Sequence, residues 1–268
     1  MPGRRCTKDG WEGVKFHTAK DLGMVRDVFS GPAAVEKLLG NAGVAHVRYP
    51  TAGGASRDDV QPFYANYPCG LSLAHNGTLV NTEKLRRNLV ANHRHLNTES
   101  DSEVLLNVFA EHLSGALDQR RRGSPTQPGA PSSARIEADT IFAAVQQTVR
   151  RARGGFAVVV LVHNVGLLAF RDPWGIRPLV FGRKASRTKE GAMDYAVASE
   201  SVALDALGYD CCRDVSPGEA ILFLPATGEA TSTGDTIASM MCHENPRLYP
   251  CIFEYVYFAR PDSTMNGV

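Results

Sequence analysis

Five short stretches carry residue types that could do chemistry. They are His46-Val47-Arg48-Tyr49-Pro50-Thr51-Ala52-Gly53, Ala74-His75-Asn76-Gly77, Ser100-Asp101-Ser102-Glu103, the run from Phe170 to Leu179, and the run from Phe253 to Ser263. Arg48 ends an apolar segment where a loop begins, and its planar fork could grip a carboxylate through two parallel hydrogen bonds. Taken alone, a structural ion pair is the favoured explanation. Asn76-Gly77 follows another apolar segment. The plain reading is a turn, because Asn-Gly is a strong hairpin signal. The chemical reading is an oxyanion site, in which a side-chain amide and a backbone N–H converge on one oxygen. Ser100 and Glu103 have the spacing of a capping box, and Asp101 suits the positive end of a helix. The alternative is that the Asp101 carboxylate receives a ligand ammonium. Arg171-Asp172-Pro173 with Gly175 reads as a tight turn.

The elements that must position these groups follow from periodicity. Strands are expected at Gly13–His17, Gly43–Tyr49 and Leu71–His75, and a brief helix at Ala33–Leu39. Thr51–Pro62 is rich in Gly, Ser and Asp and reads as a loop. Helices are expected at Thr82–Ala91, from Ser100 through Leu117, and over Ile136–Arg153. Between the last two, Gln119–Arg135 is rich in Arg, Pro, Gly and Ser and reads as a disordered surface insertion. Six further strands are expected: Phe156–His163, Gly166–Arg171, Leu179–Lys184, Tyr195–Ser199, Ala220–Leu224 and Cys251–Phe258. Short turns between several of them favour antiparallel pairing. The order predicts an α+β sandwich of two sheets with helices outside.

Composition narrows the function classes. The 268 residues are 43% hydrophobic, enough for one large core, and the formal net charge is +1. No basic stripe interleaved with aromatics points to nucleic acid. The longest apolar run, near Phe156–Val162, is too short to span a bilayer. The basic start Met1 to Cys6 is not followed by an apolar stretch, so it is not a secretory signal. A cytoplasmic protein is the expectation. The six cysteines match no metal-binding spacing and are expected to be free thiols.

Together, and in this order, the five stretches resemble the glutaminase domain of amidophosphoribosyltransferase, a class II glutamine amidotransferase, from about Val14 to Val268. The first two stretches are shared more loosely with other class II enzymes. Phe253-Glu254-Tyr255-Val256-Tyr257-Phe258-Ala259-Arg260-Pro261-Asp262-Ser263 is specific to this one and sets aside the glucosamine-phosphate and asparagine synthases. The overall flavour is eukaryotic or fungal. The resemblance implies an N-terminal-nucleophile hydrolase-type αββα sandwich of two antiparallel sheets. It implies glutamine hydrolysis that supplies ammonia to phosphoribosylpyrophosphate, giving 5-phosphoribosylamine in the first committed step of de novo purine (IMP) biosynthesis. By the same token Arg48 would hold the glutamine α-carboxylate, Asp101 its α-ammonium, and Asn76 and Gly77 the oxyanion. Tyr49 and Thr51 would line the pocket. Glutamine is the implied partner, with no nucleic acid and no membrane, and homo-oligomerisation stays open.

The resemblance also has gaps. The family begins Cys-Gly-Ile, and that cysteine is activated by its own α-amino group, whose pKa lies near 7.7–8.0. Residues 1–268 are therefore read as a class II amidotransferase domain cut short at both ends, lacking the first core strand, its nucleophile and the phosphoribosyltransferase domain. Cys6 is internal, has no free amine, and reads as an ordinary loop cysteine. The chain as written is expected to hydrolyse no glutamine. No metal or cofactor is expected in it; Mg belongs to the transferase domain. Cys251 falls where some relatives place one iron–sulfur ligand, and no cluster is expected here. The alternative to an enzyme fragment is a non-catalytic glutamine-binding or interaction module.

Overall fold

The computed structural model describes residues 15–48, 56–123, 136–225 and 237–267. In chain order the helices are α1 (Val25–Val28), α2 (Pro32–Val35), α3 (Thr82–Ala91), α4 (Asp101–Gly123), α5 (Ala138–Arg151) and α6 (Ser201–Ala206). The strands are β1 (Phe63–Ala65), β2 (Leu71–Leu79), β3 (Gly154–Val162), β4 (Gly166–Arg171), β5 (Val180–Ala185), β6 (Met193–Ala198), β7 (Asp210–Asp214), β8 (Glu219–Phe223) and β9 (Ile237–Met241). One sheet runs β1-β2-β3-β4-β8-β9 and the other β6-β5-β7. Every pairing is antiparallel.

The alternation of side chains along the strands builds the layers. Val158, Val160, Leu168, Phe170 and Leu222 face α4 and α5, and join Leu105, Phe109, Leu113, Ile141 and Val145 in the larger core. Ala157, Ala169, Ile221 and Phe223 face the other way. They pack with Leu179, Phe181 and Val215 between the two sheets. The helix α6 lies against the smaller sheet. Helices, sheet, sheet and helix is the αββα order anticipated above.

Several expected elements differ. The Leu71–His75 strand runs on to Leu79, so Asn76-Gly77 lies inside β2 and is not a turn. The reason is β3, which pairs with β2 along its whole length. Gly77 can sit there because it adopts φ 143°. A Cβ on it would run into the carbonyl oxygen of Gly155. No strand forms over residues 15–17 or 43–48 among the described residues. Val47 is 75% exposed, and without a neighbouring strand or a buried face its β-propensity has nothing to act on. Cys251–Phe258 is not a strand either. Glu254–Phe258 is a π-helical turn that buries Glu254 and leaves Val256 and Tyr257 exposed. The helix α4 carries on through Gln119 to Gly123, and the rest of the expected insertion, 124–135, lies outside the described residues. The short β1, α6, β7 and β9 were not expected: β1 and β7 carry no clear apolar alternation, and α6 is under two turns.

Replacing Gly77 by Ala is expected to cost at least about 2 kcal/mol, through backbone strain and the clash with Gly155. A urea denaturation midpoint equal to that of the unmodified chain would contradict this.

Candidate active site

The candidate site forms where the far half of β2 passes beyond β1. Residues 71–73 of β2 pair with β1, but residues 75–79 have β3 on one side only. Side chains cover part of the other edge. Gln61 mimics a strand: its Oε1 accepts the His75 N–H at 2.7 Å and its Nε2 donates to the His75 carbonyl at 3.1 Å. Asp101 Oδ2, at the start of α4, accepts the Leu79 N–H at 2.9 Å. Between them the Gly77 N–H faces the same edge. Its partner in register, Phe156, turns its own N–H and C=O toward Asp172, so the pair makes no ladder bond. The described residues supply no hydrogen-bond acceptor to the Gly77 N–H.

Beside it, Asn76 Oδ1 accepts a hydrogen bond from Arg177 Nη2 at 2.5 Å. Arg177 stands on the turn that follows β4. That turn is organised by the buried Asp172 carboxylate, which collects four backbone N–H groups. Oδ1 accepts from Trp174 (2.9 Å) and Ile176 (3.1 Å), and Oδ2 from Phe156 (3.1 Å) and Arg177 (3.2 Å). Burial pushes this carboxyl above the usual range, and the four donors oppose that without reversing it. The neighbouring Arg171 is also buried and donates to the carbonyls of Arg177, Val215 and Gly175.

His75 is buried on the opposite face, with Nδ1 3.0 Å from Ser102 Oγ and 3.8 Å from Asp101 Oδ1. Burial drives its pKa down to about 4, against the pull of Asp101. Its Nε2 has no hydrogen-bond partner among the described residues. His46 is also held below the usual imidazole range, first by burial and then by the Arg48 charge.

The sequence and the fold can now be set beside known proteins. A glutamine amidotransferase domain matches residues 32–121. The amidophosphoribosyltransferase of Escherichia coli is 46% identical over 254 residues, covering 94% of this chain and 45% of that protein. This chain is related to the amidophosphoribosyltransferases. The Schizosaccharomyces pombe enzyme is 44% identical over 258 residues, covering 95% of this chain and 45% of that protein. Bacterial relatives thus match as well as fungal ones, and the expected fungal flavour is not distinctive. A solved structure of "the allosteric regulatory enzyme of purine biosynthesis" superposes with a TM-score of 0.68 at 28% identity, over 92% of this chain and 44% of that one. The chain spans about 45% of the length of these two amidophosphoribosyltransferases.

Against this amidophosphoribosyltransferase background, the expected site residues fall into three groups. Asn76, Gly77 and Asp101 come together on and beside β2. Arg48 stands 3.7 Å from Asp59, which is the structural ion pair that its sequence also allowed. Tyr49, Thr51 and Cys6 lie outside the described residues. The capping box takes another form. Ser100 Oγ accepts the Ser102 N–H at 3.3 Å, but Glu103 reaches past Ser100 to the N–H groups of Asn97 (2.8 Å) and Thr98 (2.7 Å). Among the described cysteines, burial pushes Cys69 to about 11 and Cys242 to about 12, so neither is a thiolate at neutral pH. No group of three His, Cys, Asp or Glu among the described residues could hold a metal.

Of the other residues that build this site, Gln61 lay outside the five stretches, and His75, Asp172, Arg177 and Glu254 lay inside them without an assigned role. Only Asp172 carried a usable local signal. An Asp two residues before an N–H it can accept is an Asx turn, and Trp174 completes it here.

Two measurements check this description. Asp172→Asn must set an NH2 group against two backbone donors whichever way it turns, and is expected to cost about 3 kcal/mol in chemical denaturation. For His75 the folded ring stays neutral down to about pH 4 while the unfolded ring protonates near 6.5. The unfolded state therefore holds more protons between these values, and stability falls as the pH drops through that window, by on the order of 3 kcal/mol in total. In His75→Asn that component should vanish, so parallel pH profiles for the two proteins would refute it.

Proposed function

We propose that this chain is the glutamine-binding part of an amidophosphoribosyltransferase, acting in the cytoplasm in de novo purine biosynthesis. The observation that carries the reading is the pair of adjacent donors on β2. The Asn76 amide is held through its oxygen, and the Gly77 N–H lies on a strand edge with no acceptor among the described residues. Two fixed N–H groups suit the oxyanion that develops as a glutamine amide is cleaved, and donors fixed in advance need no reorganisation during reaction. Asp101 supports the ammonium end. Its Oδ2 is spent on Leu79, while Oδ1 keeps only a 3.5 Å contact from Ser102 and the 3.8 Å approach of His75. Arg48 is the group for the α-carboxylate. Its long contact with Asp59 is looser than the two-pronged bond a ligand carboxylate would make. Tyr49 and Thr51 complete the pocket in this reading. The residues named so far bind glutamine and offer donors to the oxyanion; the nucleophile that attacks the amide carbon is not among them. The released ammonia would pass to phosphoribosylpyrophosphate to form 5-phosphoribosylamine.

A second reading is a glutamine binder without turnover, since no cysteine stands among the residues named in the site. Both readings require glutamine to bind.

Isothermal titration calorimetry tests this directly. Glutamine should bind the purified chain. Arg48→Ala and Asp101→Asn should each weaken it by about tenfold or more, since each removes a charge-assisted contact. Asn (in place of Asp101) keeps an acceptor for Leu79, so the fold is spared. Asn76→Ala should leave ground-state affinity within about twofold, because its bond strengthens only in the transition state. A folded chain that binds no glutamine, or binds it equally well without Arg48 and Asp101, would overturn the proposal.

A further inference from the structure

We infer that Arg177 is a positioning residue that sets the orientation of the Asn76 carboxamide and thereby makes its NH2 group the available donor. The inference rests on the reading of Asn76 and Gly77 as an oxyanion site. The argument begins with what an amide cannot decide alone. The two ends of a carboxamide are nearly equal in size, and packing hardly distinguishes them. A guanidinium has donors and no acceptor. With Arg177 Nη2 at 2.5 Å, the Asn76 oxygen must be the end that faces it, since the reversed amide would set NH2 against N–H. Nδ2, with both hydrogens, is then the end turned away from Arg177.

Arg177 is itself held on several sides. Nη1 pairs with the Glu254 carboxylate, whose side chain is 6% exposed. The Phe258 ring centroid lies 5.4 Å from the guanidinium carbon. In the backbone, the Arg177 N–H donates to Asp172 at 3.2 Å and the Arg177 carbonyl accepts from Arg171 Nε at 2.6 Å. The Arg177–Glu254 pair uses Nη1 and leaves Nη2 for a second partner, which is Asn76. The contact to Asn76 is additional, and it uses a different nitrogen of the same fork. A lysine could meet Glu254 or Asn76 with its point charge, but it lacks the planar fork that holds both.

The test compares the full chain with Arg177→Lys, Asn76→Ala and the double variant. The first readout is the Asn76 side-chain 1H–15N pair in the NMR spectrum, which needs no turnover. It should be well separated and slow to exchange in the unmodified chain. In Arg177→Lys it should move to the position of a solvent-exposed carboxamide while backbone peaks distant from residue 177 stay put. The second readout is glutamine hydrolysis. Arg177→Lys should lower kcat about tenfold or more, as expected for a misplaced oxyanion donor, with KM within about twofold. In the Asn76→Ala background it should add nothing further. An unmoved Asn76 pair in Arg177→Lys would overturn the inference. So would a kcat loss that multiplies with that of Asn76→Ala, or an effect confined to KM. If the full chain releases no ammonia, the Asn76 pair alone decides: a pair that moves in Arg177→Lys supports the inference, and an unmoved one overturns it.

Discussion

The buried carboxylate of Asp172 fixes the geometry on which the site depends. Four backbone N–H groups converge on it, one from β3 and three from the turn after β4. A buried carboxylate without such donors would be costly, and a turn without an acceptor would leave its N–H groups unpaired. Each solves the other's problem. The result ties the start of β3 to the turn that carries Arg177. Because β3 also sets the register of β2, the same carboxylate places Arg177 opposite Asn76, 101 residues away in sequence. Arg171 reinforces the turn from the other side through three backbone carbonyls.

The second constraint is a strand that outruns its neighbour. Beyond β1, the outer edge of β2 would present a row of unpaired backbone groups. Gln61 covers the groups of His75, and Asp101 covers the N–H of Leu79. The position between them is a glycine, with φ 143° and no room for a Cβ. Selective coverage is what turns an edge into a site: among the described residues, two positions are satisfied by side chains and the donor between them has no acceptor.

Much of the fold was legible from periodicity. The α3 helix and β4 have the limits their patterns suggest, and β3, β5, β6 and β8 differ only at their ends. These segments bury a regular face, so hydrophobic spacing reports them directly. The errors share a cause as well. Residues 43–48 and 251–258 have the composition of strands, but a strand exists only where another strand hydrogen-bonds to it. Among the described residues neither finds one. In the same way Asn76-Gly77 resembles a turn by local preference, and the nine-residue pairing with β3 overrides that preference.

The sequence by itself determined the chemistry on offer. Residue types and order identified a fork for a carboxylate at Arg48, an acid at Asp101 and an amide donor beside a glycine at Asn76 and Gly77. The tertiary structure alone decided which of these groups meet. It placed Asp101, at the start of α4, beside the strand that carries Asn76 and Gly77, turned Arg48 toward Asp59, and brought in Arg177, Glu254 and Gln61 from other segments. The physical reason is that hydrogen bonds and ion pairs are short-ranged and directional, whereas the segments supplying their partners are separated by tens to a hundred or more residues. Register, burial and the turn at Asp172 bring them together, and no local pattern encodes those distances.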